Sequence, residues 1–293
     1  MAKIEKFKTS ILKYYIMEHK VVHKKPDFKQ LKKSGFTLTD MHFHTCHSDT
    51  YTKVDQAIKK AGKLGVNLAI TDHNIISGVE EAYSQFSEVN VIPGVEVSCA
   101  EGHHILVYFS ELSHLQDFYY MYVEPFLNKD PFTTTNLKTI DLLKATKKYD
   151  CLSIAAHPVS IGACGIMRNV WNGSVSKELL KELNGFEVIS GENPKPYNKL
   201  SKKVALSLGT SFTGGSDGHI LAELGNVVTV TKANSIKGIL DEIRRKENFV
   251  IGKEGKFIQR LISASRISSK HVKYLPSFVD IRAKRMKLRK NIW

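Results

Sequence analysis

"DMHFHTCHSD", residues 40–49, places three histidines and two aspartates within ten positions. Strand side chains repeat with a period of two, so His42 and His44 at the end of an apolar run point both imidazoles to one side. A solvated loop has no need of that alternation, and a buried strand does not ordinarily carry it. The fold is decided by where the other histidines and carboxylates fall.

They recur where apolar strand-like runs stop: Asp72 and His73 after "NLAI", Glu96 after "VIPGV", His157 after "SIAA", Asp217 and His219 after "FTGGS". Between residues 38 and 252 such runs alternate with the amphipathic stretches "VDQAIKKAGKL", "LKTIDLLKATKKY", "SKELLKEL" and "YNKLSKKVALSL". Ser77 and Glu80 have capping-box spacing, Gly209 stands where a glycine ends a helix, and Ser235 opens "SIKGILDEIRRK" as an N-cap. Repeated strand-then-helix units imply a parallel sheet, and polar residues at the strand ends select a barrel, where such ends meet at one mouth. His104 is the exception: it opens "HILVYF" and has to enter from a different angle.

Composition frames this reading. The 293 residues are 42% hydrophobic and 25% charged, as in ordinary globular proteins. No apolar run approaches the roughly 20 residues that span a bilayer, and the lysine-dotted N-terminus is unlike a signal peptide, so a cytoplasmic location is expected. Cys46, Cys99, Cys151 and Cys164 form no CxxC pair, which fits small apolar residues in a reducing compartment. Residues 1–35 carry +7 and residues 256–293 carry +10, which leaves −3 for residues 36–255 of the total +14. The expected organisation is therefore a mildly acidic domain, 36–255, between a basic N-terminal extension, 1–35, and a basic C-terminal extension, 256–293. The last is richest at Arg282, Lys284, Arg285, Lys287, Arg289 and Lys290, which suit a polyanion.

Taken singly, each polar motif has a plain reading: "TDHN" as a turn with a helix cap, "AHP" as a core histidine before a rigid turn. Their joint occurrence is more specific. His42, His44, Asp49, His73, Glu96, His104, His157, Asp217 and His219 are nine groups, whereas one zinc is satisfied by four. They suit two or three divalent ions, with Glu96 as a bridge. Arg168, Lys195 and Lys199 are candidate contacts to a phosphate oxygen.

The ordered set "HFH…HSD", "TDHN", "GVEVS", "HIL", "AHP", "GFEV" and "GSDGH" resembles the PHP (polymerase and histidinol phosphatase) family of metal-dependent phosphoesterases. The resemblance covers residues 38 to about 252. It implies a distorted (β/α)7 TIM-like barrel with three metals, manganese, zinc or iron. By the same resemblance His42, His44, Glu96 and Asp217 hold the first ion, Glu96, His104 and His157 the second, and Asp49, His73 and His219 the third. Gly218 stands where alanine is common, and His103 beside His104 leaves the register of that ligand open. His47 is an extra histidine, either solvent-facing or supporting a ligand.

The implied activity is hydrolysis of a phosphate ester by a metal-bound hydroxide, with Glu96 bridging and Asp49 or His219 relaying a proton. The basic ends favour a nucleotide or oligonucleotide substrate over a small phosphomonoester of the histidinol-phosphate type. An amidohydrolase-like metal hydrolase and a non-catalytic PHP module that binds nucleic acid are the alternatives.

Overall fold

The strand-and-helix alternation forms a curled ten-stranded sheet wrapped by helices. The computed structural model describes residues 20–86, 90–160, 162 and 164–271. In chain order the elements are β1 (Val21–His23), α1 (Phe28–Lys33), β2 (Thr37–Phe43), α2 (Val54–Leu64), β3 (Asn67–Ile70), α3 (Ser77–Gln85), β4 (Val91–Ser98), β5 (His104–Phe109), α4 (Leu112–Tyr122), α5 (Thr139–Thr146), β6 (Cys151–Ala155), α6 (Ile166–Trp171), β7 (Gly185–Ser190), α7 (Lys195–Leu208), β8 (Ser211–Gly215), β9 (Val227–Thr231), α8 (Ile236–Arg244), β10 (Phe249–Gly252) and α9 (Phe257–His271). The strand order is β1-β10-β9-β2-β3-β4-β5-β6-β7-β8. It closes where β8 meets β2: Asp217 N donates to His42 O at 2.7 Å and His44 N to Gly218 O at 3.0 Å. This is the expected distorted TIM-like barrel, with β9, β10 and β1 extending the sheet beyond the closure.

The sheet is mixed rather than wholly parallel. β2, β3 and β4 run parallel, as do β6, β7 and β8, but β5 is antiparallel to both β4 and β6. The cause is the connection: residues 99–103 between β4 and β5 suffice for a hairpin, whereas a parallel crossover needs a dozen or more. Reversal of β5 also explains His104. The first residue of an antiparallel strand lies at the same end of the barrel as the last residues of its parallel neighbours, and His104 pairs with Ser98.

Helix α2 covers the expected "VDQAIKKAGKL", burying Val54, Ala57, Ile58 and Ala61 at helical spacing and ending at Gly65 with φ +64°. Gly209 ends α7 in the same left-handed conformation, and Ser235 caps α8 by accepting from Gly238 N. Two local expectations are corrected. "SKELLKEL" forms only a short 3-10 turn, Lys177–Lys181, whose start is tightened by Ser176 Oγ accepting from Glu178 N. Ser77 is not a cap: Ile76 precedes α3, and Ser77 Oγ bonds His47 Nδ1 at 2.8 Å instead.

Ile92, Leu106, Tyr108, Leu152 and Ile154 form a buried cluster with Ile239, Leu240 and Ile243 of α8. Ile92 shares a face with Glu96 and Leu106 with His104, so this cluster floors the polar residues at the mouth. All four cysteines are free, Cys99 and Cys151 buried and the other two half-buried. Of the basic ends, residues 1–19 and 272–293, including the run 282–290, lie outside the described residues. Among the described residues no helix is long and apolar enough to cross a membrane.

Candidate metal centre

Asp40, His42 and His44 share the inner face of β2 and its extension, as the two-residue period requires. Asp40 is the lowest and anchors the closure, accepting from Ser216 N and Gly225 N at 2.8 Å each. Burial pushes its carboxyl up to about 6 despite those donors. Above it, His42 Nε2 and His44 Nε2 stand 3.1 Å apart.

Glu96, fully buried on β4, is the hub. Its Oε2 lies 3.2 Å from His42 Nε2, 3.3 Å from His44 Nε2 and 3.1 Å from His73 Nδ1. Its Oε1 lies 3.0 Å from His104 Nδ1 and 3.2 Å from His157 Nε2. Asp217 Oδ1 is 3.3 Å from both His42 Nε2 and His44 Nε2. Asp49 Oδ2 is 3.5 Å from His73 Nε2 and 3.3 Å from His219 Nε2. All nine candidates are thus in one constellation.

Three overlapping groups within it have ligand atoms close enough to share an ion: His42, His44, Glu96 and Asp217; His44, Asp49, His73 and His219; and His73, Glu96 and His104. The second group includes His44 and the third His73, neither of which the family resemblance placed there. His157 faces the third group through Glu96.

Nine close-set groups out of water demand compensation. Burial alone would neutralise Glu96, but His42, His73 and His104 outweigh it and hold its carboxyl well below the usual range. Burial likewise opposes charge on His42, yet Asp217, Glu96 and Glu187 hold its imidazole well above the usual value. His73, where burial dominates, falls to about 3. His44 Nδ1, His73 Nδ1, Glu96 Oε2, His157 Nδ1 and His219 Nε2 are buried with no hydrogen-bond partner. Orphaned atoms of this kind are what a cation would satisfy, and its charge would relieve imidazoles of the positive charge the carboxylates require.

Second partners fix the rings. His42 Nδ1 donates to Glu187 Oε1 at 3.0 Å, which points Nε2 at Glu96 and Asp217, where an ion would take its lone pair. Glu187 Oε2 also accepts from His157 N at 2.8 Å. His219 Nδ1 donates to Asp217 O at 2.9 Å, freeing Nε2 toward Asp49. His157 and Asp217 have φ of +26° and +51°, in the sparsely populated left-handed region that clusters at functional sites.

Sequence reasoning passed over Glu187, although it stands in "GFEV" as Glu96 stands in "GVEV", a carboxylate alternating with apolar residues on a strand. Glu187 belongs to none of the three groups and contacts the candidates His42 and His157, so replacing it by glutamine is expected to weaken metal retention by about 10- to 100-fold without unfolding the barrel. Competition of the purified variant against a graded chelator, with thermal melting alongside, measures both.

The remaining candidates lie elsewhere. His103 faces away from Glu96, against Thr139 Oγ1 and Asn169 Nδ2 at 3.0 Å each, so His104 takes the inward register. His47 joins Ser77 and Glu81 at the side of the constellation. Arg168, Lys195 and Lys199 are exposed on α6 and α7, and none of them belongs to the three groups. The methyl group of an alanine at Gly218 would lie 2.7 Å from the Phe43 ring, which accounts for glycine there.

Residues 195–248 match the family model described as PHP-associated. Among solved structures, Endonuclease Q in complex with a 27-mer duplex bearing an abasic lesion superimposes with TM-score 0.59 at 15% identity, over 75% of this chain and 60% of that one. PsfC from Pseudomonas syringae superimposes with TM-score 0.56 at 16% identity, over 80% and 98%. A two-domain protein from Bacteroides vulgatus containing a predicted PHP-like metal-dependent phosphoesterase gives 0.50 at 15% identity, over 79% and 68%. The chain therefore spans about 60% of the length of Endonuclease Q. No curated protein matches at the level of sequence. On the matched segment and on the barrel, the chain carries a PHP-associated region and has the fold of the PHP-like proteins.

Proposed function

We propose that this chain is a metal-dependent phosphoesterase acting on a nucleotide or oligonucleotide phosphate at a centre of two to three divalent ions. The observation that carries the reading is Glu96 with five imidazoles around its two oxygens. A single carboxylate so surrounded suits a bridge between ions and is excessive for one.

Divalent ions held at such a centre would supply positive charge to a phosphate ester and lower the pKa of water. The chain's own groups do the rest. Glu96, His42, His44 and Asp217 would hold the first ion, Glu96, His104 and His157 the second, and Asp49, His73 and His219 the third, with His44 and His73 able to share between groups. Glu187 and the Asp217 carbonyl keep His42 and His219 in the tautomers that present Nε2. Asp49 Oδ2 and His219 Nε2 lie 3.3 Å apart, and whichever of the two the third ion leaves free would pass a proton to the departing oxygen. The apolar floor below Glu96 shuts water from that side. Arg168, Lys195 and Lys199 would add charge for the outer reach of a polyanion.

A nucleic-acid substrate is favoured by the basic ends of the chain and by the fold shared with a DNA endonuclease. Protein purified without chelator is expected to contain two to three equivalents of manganese, zinc or iron by elemental analysis. Stripping them is expected to abolish hydrolysis and lower the melting temperature, because an ion bound only by the folded state stabilises it. A single tightly held equivalent would refute the multinuclear reading. Assaying the loaded protein against phosphomonoesters, cyclic phosphates and short oligonucleotides decides the substrate class, and hydrolysis of small monoesters alone would move the assignment to a small-molecule phosphatase.

A further inference from the structure

The loop between β2 and α2 delivers Asp49 to the centre and then exposes an aromatic ring. Tyr51 is 50% exposed, although its neighbours on both sides are buried. Thr50 Oγ1 and Thr52 Oγ1 both donate to the carbonyl of His219, so the loop is stitched to the centre immediately before and after Tyr51. Thr52 O also accepts from Cys46 N at 2.7 Å. Side chains that alternate along this segment send the two threonines inward and the tyrosine outward.

Outside, helix α9 holds the ring still. Ser263 Oγ donates to both oxygens of Glu223, at 2.8 and 2.9 Å, and Glu223 Oε2 accepts from His219 N at 2.9 Å, so α9 is docked on the same strand end. One and a half turns or so further on, Ser269 Oγ lies 3.0 Å from the Tyr51 hydroxyl. Lys270 Nζ stands over one face of the ring, 4.9 Å from its centroid, and donates to Cys46 O at 3.1 Å. An ammonium has three donors, and the Cys46 carbonyl takes one.

The result is an aromatic surface immobilised by its loop, its hydroxyl and a cation, half open to solvent, and two residues from a side chain of the centre. A mobile surface tyrosine would lose side-chain entropy on meeting a ligand; this one has already been ordered. Burial does not explain holding it in water, whereas stacking on another flat ring does.

We propose that Tyr51, with Lys270 over one face, is a base-stacking subsite whose other face takes an unpaired nucleobase next to the phosphate being hydrolysed, while the ammonium meets a neighbouring phosphate oxygen. The proposal rests on the phosphoesterase reading above and sharpens it: the preferred substrate is single-stranded or locally unpaired nucleic acid, recognised by a π-face common to every base rather than by sequence.

The test compares two fluorescein-labelled 12-mers of equal charge, oligothymidylate and a fully abasic strand, by anisotropy at fixed salt with the metal-loaded full chain. Hydrolysis of glycerol phosphate, an ester with no ring to stack, followed by release of inorganic phosphate, serves as the control. The native protein is expected to bind the base-bearing strand about tenfold or more tighter, the scale of one stacked base. Tyr51→Ala is expected to bring that preference close to unity while small-ester turnover stays within about twofold, and Tyr51→Phe, which keeps the ring and loses only the Ser269 contact, to retain it. Lys270→Gln is expected to weaken both strands equally and to lower the salt slope by about 0.7, one phosphate contact on a single strand. Equal binding of the two strands by a protein that hydrolyses the small ester overturns the stacking subsite alone. So does a preference that survives in Tyr51→Ala, or a Tyr51→Phe protein that behaves as Tyr51→Ala does, which would make the tyrosine a clamp for α9. A native protein that binds neither strand and hydrolyses no phosphate ester overturns the phosphoesterase reading, and the subsite with it.

Discussion

Replacing Glu96 by glutamine is expected to lower phosphoester hydrolysis by on the order of a thousandfold or more, beyond the 10- to 100-fold cost of losing a group that merely supports a ligand. Glutamine has the shape of glutamate, so the floor under it, Ile92 and Leu106 included, has no cause to repack. What changes is charge and polarity. The present Oε1 faces His104 and His157 and Oε2 faces His42, His44 and His73, so the NH2 end of the amide meets ring nitrogens on either side. In the proposed centre those nitrogens and Glu96 would hold the ions together, and an amide would bring neither the negative charge nor the second anionic oxygen that Glu96 would supply. Elemental analysis should show at least one equivalent lost, with the far-ultraviolet circular dichroism unchanged. Turnover within about tenfold of the native protein, with all ions retained, would show that Glu96 bridges nothing and that the chemistry lies elsewhere.

Most of this centre is legible in the sequence because two independent regularities point to it. The two-residue period puts His42 and His44 on one side, the crowding in residues 40–49 adds Asp49, and the habit of placing polar groups at strand ends collects His73, Glu96, His157, Asp217 and His219. What is not legible is whatever depends on strand direction and on the second layer. His104 looks anomalous until β5 is known to run backwards, and its direction follows from a five-residue link that is visible in the sequence but readable only once both strand ends are fixed. Glu187 carries the same pattern as Glu96, yet its role lies in a contact across 145 positions. The contact of α9 with Glu223 joins residues 40 apart through side-chain geometry alone, and no periodicity reports it. The left-handed backbone at His157 and Asp217 is similarly silent: histidine and aspartate adopt a positive φ more often than most residues, but only in a small minority of positions, and nothing local singles out these two.

Gly215 separates the cost of the fold from the cost of the site, and its replacement by alanine is expected to damage both. Here β8 passes β2 so closely that an added Cβ would lie 2.4 Å from both the amide nitrogen and the Cβ of His42. Those atoms belong to a fully buried residue and cannot rotate aside, so the two strands have to part. Overpacking of this kind costs typically 1–3 kcal/mol and occasionally more, and a backbone obstacle places Gly215→Ala at about 3 kcal/mol or above. For a domain of this size that corresponds to a melting temperature lower by roughly 6–12 °C. The displaced atoms lie next to the donors that tie Asp217 to His42 and Ser216 to Asp40, so the imidazole and carboxylate assigned to the first ion move apart together. Metal retention and hydrolysis are therefore expected to fall along with stability. Gly209→Ala is the matched comparison: its methyl meets open space, and its φ of +63° makes the cost purely conformational, about 1–2 kcal/mol. Gly209 ends α7 before β8 begins, at the opposite end of that strand from Asp217, so this variant is expected to melt earlier while keeping its ions and its turnover. Metal lost equally from both variants would mean that the ions simply follow global stability. Loss confined to Gly215→Ala would mean that the close approach of β8 to β2 is what sets the spacing of the first-ion ligands.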